Sequence, residues 1–179
     1  MRRSRHLAAW AEDLYEQYGA RIAEMIGVED VPPIRVIVAR SGPGAAWTSG
    51  TDVYLSARWF AAHPDDAGGC LHEFTHAVMR APVYDDSTVW LIEGLADWVR
   101  DELGHDASWT FAHFGPGEAL AGYQTTAHFL TWLDRRQPGA VRALARRLSA
   151  GDYVPTDFEA LTGTSLASLV QEYEAAQAG

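Results

Sequence analysis

Apolar residues recur at helical spacing from the start of the chain. Leu7, Trp10, Leu14, Tyr18, Ile22 and Met25 share one face, and Gly27 supplies a stop. Pro32 and Pro33 break the pattern, and residues 34–39 form a short β-branched run that reads as a strand. After the Gly42-Pro43-Gly44 turn, residues 46–49 and 53–56 suit two further short strands around Gly50. From there the pattern is helical. Asp65 or Asp66 can cap a helix running to about Arg80, where Pro82 ends it, with Leu71, Phe74, Val78 and Met79 as its core stripe. Asp86 or Ser87 can cap the next, over 88–103, which stops at Gly104. Further helices are expected over 123–133, over 138–148 with Pro138 at its start, and over 157–161 and 165–173. This order predicts one α+β domain over 1–179, with a sheet-containing part to about residue 82 and a helical part after it.

Composition narrows the function classes. A net charge of −10 argues against nucleic acid, which needs a basic stripe to displace condensed counterions. The local exception, Arg135, Arg136, Arg142, Arg146 and Arg147, reads as a solvated helix face or as a site for an anionic partner. No stretch approaches the roughly 18 apolar residues of a membrane span. Arg2, Arg3 and Arg5 look like the start of an export signal, yet no apolar core follows, so the sequence as written predicts a cytoplasmic protein, or a secreted one if an export signal has been removed. The single cysteine, Cys70, excludes an internal disulfide framework and reads as packing, with nucleophile or metal ligand as the alternative.

The chemistry gathers in His72-Glu73-Phe74-Thr75-His76, an H-E-x-x-H segment on an expected helix. Residues four apart share a face, which lets two ring nitrogens converge on one zinc ion at roughly 2.0–2.1 Å. Glu73 lies beside that face, suited to a carboxylate that works on a coordinated water. Such a segment arises by chance often enough that a third ligand must be found. Glu93 and Asp97 stand one turn apart inside the otherwise apolar Trp90-Leu91-Ile92-Glu93-Gly94-Leu95-Ala96-Asp97. Carboxylates buried there need partners, because an unpaired buried charge costs several kcal/mol. Glu93 is expected as third ligand and Asp97 as the group that orients His72 or His76. Gly94 hints at a close helix approach. The competing reading makes Glu93 and Asp97 a solvated stripe with Trp90 and Arg100.

These segments, followed by Gly122-Tyr123-Gln124-Thr125-Thr126-Ala127-His128-Phe129-Leu130 and by Leu161-Thr162-Gly163, resemble the basic secretory protein family of plants and bacteria, zinc peptidases of gluzincin type. The likeness spans roughly residues 34–173, although this chain is acidic. It implies a zincin-like α+β fold, with a small mixed sheet packed on the H-E-x-x-H helix and a helical C-terminal part. It also implies Zn2+ as cofactor, His72, His76 and Glu93 as ligands, Glu73 as catalytic carboxylate, Asp97 in support, and a peptide or protein substrate. A monomer is expected.

Weaker expectations complete the reading. Tyr123 is the candidate donor to the oxyanion of the tetrahedral stage, with His113, His105 and His128 as alternatives. The resemblance to gluzincin architecture makes the strand at 53–55 a candidate edge for an extended peptide. Trp59, Trp90, Trp98 and Trp132 read as core, while Trp47 and Trp109 could wall a substrate groove. Two rivals to an enzyme stand: a zinc-binding module without catalysis, and a metal-free helical interaction protein.

Overall fold

In the computed structural model, residues 2–105 and 117–177 are described, with side chains from residue 5 onward. They form two compact units, Met1–Arg80 and Ala81–Gly179. The architecture is α+β, a small mixed sheet among many helices, as the pattern predicts.

The first unit opens with α1 (Arg2–Ile26), followed by β1 (Arg35–Ala39), β2 (Ala46–Ser49), β3 (Asp52–Ser56), α2 (Ala57–Ala62) and α3 (Ala67–Met79). The strand order is β1-β3-β2, with β1 parallel and β2 antiparallel to β3. A two-residue turn joins β2 to β3, and Gly50 meets its left-handed requirement at φ 62°. The 53–55 segment expected as an edge is thus the central strand, hydrogen-bonded on both sides, and β2 is an edge instead. Local pattern marks strands but not their lateral order, which depends on contacts distant in sequence.

Alternation along β3 decides which side faces the helices: Val53 and Leu55 are fully buried, whereas Tyr54 is half-buried. Helix α3 packs on β2 and β3, and α1 packs on α3 and β1. Leu71, Phe74, Ile22 and Ile26 fill the space between them, and Tyr15 meets the Phe74 ring edge-on at 5.2 Å while its hydroxyl donates to the Pro32 carbonyl at 2.6 Å. The short helix α2, capped by the Ser56 hydroxyl, has no counterpart in the sequence reading; it follows β3 directly, with no glycine or proline to mark the change from strand to helix.

The second unit is helical among its described residues: α4 (Val89–Glu102), α5 (Tyr123–Arg136), α6 (Ala140–Ala150), α7 (Asp157–Thr162) and α8 (Leu166–Gln177). The largest contact is between α4 and α5. Helix α6 begins two residues after Pro138, because Gly139 adopts φ 87° and takes the cap position. Helix α4 is entered through Thr88, not the expected Asp86 or Ser87. Phe129, Trp132, Phe158 and Tyr173 form an aromatic cluster with centroid separations of 5.6–6.3 Å. Of the basic cluster, Arg136 pairs with Glu172 at 2.6 Å and Arg147 with Asp157 at 3.2 Å, so these two read as structural ion pairs. Among the described residues no helix is long and apolar enough to cross a membrane.

Gly94 shows why α4 and α5 approach so closely. A Cβ built there would lie 2.2 Å from Thr126 Cγ2 and 2.5 Å from Thr126 Cβ, and Thr126 is itself fully buried. Alanine would raise helix propensity by about 1 kcal/mol, yet forcing the methyl into this contact costs about 1–3 kcal/mol. Gly94→Ala should therefore lower unfolding free energy in urea titration; an unchanged or raised midpoint would show that Thr126 yields freely.

Candidate metal centre

Helix α3 begins where Asp66 Oδ1 accepts from the Gly69 amide at 2.8 Å, while the Trp59 indole donates to Asp66 Oδ2 at 2.7 Å. It ends at Arg80, held left-handed at φ 47°. Between these ends the helical pitch sets His72 and His76 one above the other, with their Nε2 atoms 3.0 Å apart. Two zinc–nitrogen bonds of 2.0–2.1 Å can span at most about 4 Å, so this separation suits one shared ion. Glu73 is 8% exposed on the same helix, and the Thr48 hydroxyl lies 2.8 Å from its Oε2.

On α4 the carboxylates are buried as the apolar context requires: Glu93 and Asp97 are each 5% exposed and Arg100 is 4% exposed. The solvated-stripe reading is therefore overturned. Arg100 Nη1 stands 3.7 Å from Asp97 Oδ1, so a cation one turn along the helix offsets part of the burial of Asp97. Glu93 Oε1 accepts from the Tyr84 hydroxyl at 2.5 Å. The loop that presents Tyr84 is tied to itself: Thr88 Oγ1 donates to the Val83 carbonyl at 3.0 Å, and Asp85 Oδ1 accepts from the Ser87 amide at 2.9 Å. Sequence reasoning missed Tyr84, because a lone tyrosine in a turn carries no periodic or motif signal.

Ligand atoms of His72, His76 and Glu93 all lie within 4.8 Å of one another, a group that could hold a metal ion. The donor set fits: two imidazoles and one carboxylate are borderline-soft and hard ligands of the kind zinc takes, and three protein ligands leave coordination open.

Tyr123 opens α5 at φ 48°, a conformation that bulky residues rarely hold, and is 56% exposed. The turn before it is clamped: the Gly122 amide donates to Thr126 Oγ1 at 2.9 Å, which donates to the Ala119 carbonyl at 2.9 Å. A Cβ built on Gly122 would lie 3.7 Å from Glu93 Cβ, so the backbone at Tyr123 runs beside the carboxylate-bearing turn of α4. His128 stands five residues beyond Tyr123 on α5. Burial lowers its pKa, and its charged neighbours are Asp101, two turns beyond Glu93, and Arg135. His105 follows the C-terminal end of α4, about three turns from Glu93. His113 and Trp109 lie outside the described residues.

Burial, with Asp66 and Glu73 nearby, pushes the Cys70 thiol well above its ordinary pKa. It is a packing residue, since the thiolate needed for attack or ligation is disfavoured. Of the tryptophans, Trp98 alone among the described residues is buried, at 6% exposure. The others keep part of the ring in solvent, as with Trp90, whose indole donates to the Ser87 carbonyl at 3.2 Å. Trp47 stacks on Tyr54 at 4.9 Å, on the opposite sheet face from Val53 and Leu55, and its six-membered ring comes so close to Gly42 that a Cβ there would lie 2.0 Å from Cη2.

The family model described as a peptidase of plants and bacteria, BSP, matches residues 6–173. The chain belongs to that family, in agreement with the resemblance its motifs carry. Neither the comparison with curated proteins nor that with solved structures found a match.

Removing the phenol oxygen at residue 84 takes away a short hydrogen bond that helps to fix the Glu93 carboxylate. Tyr84→Phe should weaken divalent-metal binding about 10- to 100-fold, the usual effect of losing such an outer partner, as read by competitive titration with a chromophoric chelator. An unchanged affinity would detach Tyr84 from the centre.

Proposed function

We propose that this protein is a zinc-dependent peptidase of zincin-like fold, in which His72, His76 and Glu93 hold the metal and Glu73 acts as general base and acid. The observation that carries the reading is the convergence of two imidazoles and a buried carboxylate within 4.8 Å, in a chain whose family is described as peptidases.

A zinc ion held there would supply a water of lowered pKa, near 7, and would polarise the scissile carbonyl. Glu73, on the same helix as both imidazoles, would take a proton from the attacking water and return it to the leaving nitrogen. Asp97, buried one turn beyond Glu93, would orient an imidazole as its acceptor while Arg100 offsets its charge. Tyr123 would donate a phenolic hydrogen bond to the developing oxyanion, and its backbone outlier at φ 48° favours a site role over a packing one. The peptide would add to the outer side of β2, an edge strand among the described residues, whose Thr48 reaches Glu73.

Glu73→Gln keeps the volume and removes the basicity, so zinc content should stay at one per chain while turnover of a peptide library falls about 10²–10⁴-fold. Unchanged turnover would remove Glu73 from its role, and zinc retention without turnover in the wild type would favour a non-catalytic module. Glu93→Ala should lose most bound zinc on dialysis, because it withdraws one of three protein ligands. Full occupancy in that variant would refute the assignment.

A further inference from the structure

Thr48 faces Val53 in the β2–β3 ladder, so its side chain projects from the sheet face that buries Val53 and Leu55 and is covered by α3. There its Oγ1 contacts Glu73 twice, at 2.8 Å from Oε2 and at 3.0 Å from the main-chain carbonyl oxygen. One hydroxyl thereby touches the backbone and the head group of a single residue. That arrangement folds the Glu73 side chain back along its own helix.

Glutamate has three side-chain torsions, and freezing them costs as much as about 2 kcal/mol of rotamer entropy. Something must oppose that freedom if the carboxylate is to meet a water at hydrogen-bonding distance. A hydrogen bond to an ionised carboxylate is among the stronger neutral-to-charged contacts. With Oε2 engaged by Thr48, proton transfer falls to Oε1.

We propose that Thr48 is a positioning residue for the catalytic carboxylate, holding Glu73 Oε2 so that the other oxygen is presented to the reacting water. The role rests on the peptidase reading for its catalytic meaning but not for its geometry. It is also more specific than strand-to-helix packing, which a valine at 48 would supply equally well.

The comparison is between Thr48→Val, which keeps shape and β propensity and removes the hydroxyl, and Thr48→Ser, which keeps the hydroxyl. Thr48→Ala serves if the valine variant does not fold. Each zinc-titrated protein is crystallised and assayed on a peptide substrate cleaved by the wild type. In Thr48→Val the Glu73 carboxylate should leave its wild-type rotamer and kcat should fall about 10- to 100-fold, as expected for a lost hydrogen bond to a charged group. KM and zinc stoichiometry should hold, and Thr48→Ser should recover most of the rate. A carboxylate that stays in place in both the valine and alanine variants, or an undiminished kcat, overturns the proposal. A wild type that cleaves nothing sinks the peptidase reading instead, and the carboxylate rotamer in the variant crystals still decides the role of Thr48.

Discussion

The pitch of one buried helix governs the candidate centre. In α3 the same four-residue spacing that brings the His72 and His76 rings together edge to face, with centroids 4.7 Å apart, also sends Leu71 and Phe74 into the core, where both are fully buried. The imidazoles cannot drift apart without shifting the side chains that hold the helix to α1 and the sheet. Stability and ligand geometry therefore depend on the same contacts. A rigid element of this kind suits a site in which misplacement by 1 Å matters.

A second constraint works within α4. Burying Glu93, Asp97 and Arg100 in an apolar helix is unfavourable unless each finds partners, and the chain supplies Tyr84 to the first and sets the other two against one another. The close approach of α5 at Gly94 brings Thr126 against that helix, and Thr126 in turn clamps the Gly122 turn from which Tyr123 starts. One missing methyl group thus governs both helix packing and the placement of an exposed phenol.

Much of this was legible in the sequence for identifiable reasons. The H-E-x-x-H segment stands out because helical periodicity converts spacing into shared orientation. Glu93 and Asp97 stand out because charge inside an apolar run signals a local requirement. The strands at 35–39, 46–49 and 52–56 follow from β-branched runs punctuated by glycine and proline. What stayed hidden depends on contacts remote in sequence. Strand order put β3, not β2, at the centre, and a lone Thr48 or Tyr84 has no signature until folding brings it against Glu73 or Glu93. Partial exposure of most tryptophans was hidden likewise, because how much of a ring is covered depends on elements packed against it from elsewhere in the chain.

Cys70 has a consequence for the conditions under which this fold persists. The chain has one cysteine among its 179 residues, and that sulfur is enclosed on all sides with its proton firmly attached. It can neither pair internally nor readily reach a second molecule, so thiol–disulfide exchange has no covalent purchase on these residues. A glutathione-rich milieu and a disulfide-forming one should leave its bonding the same.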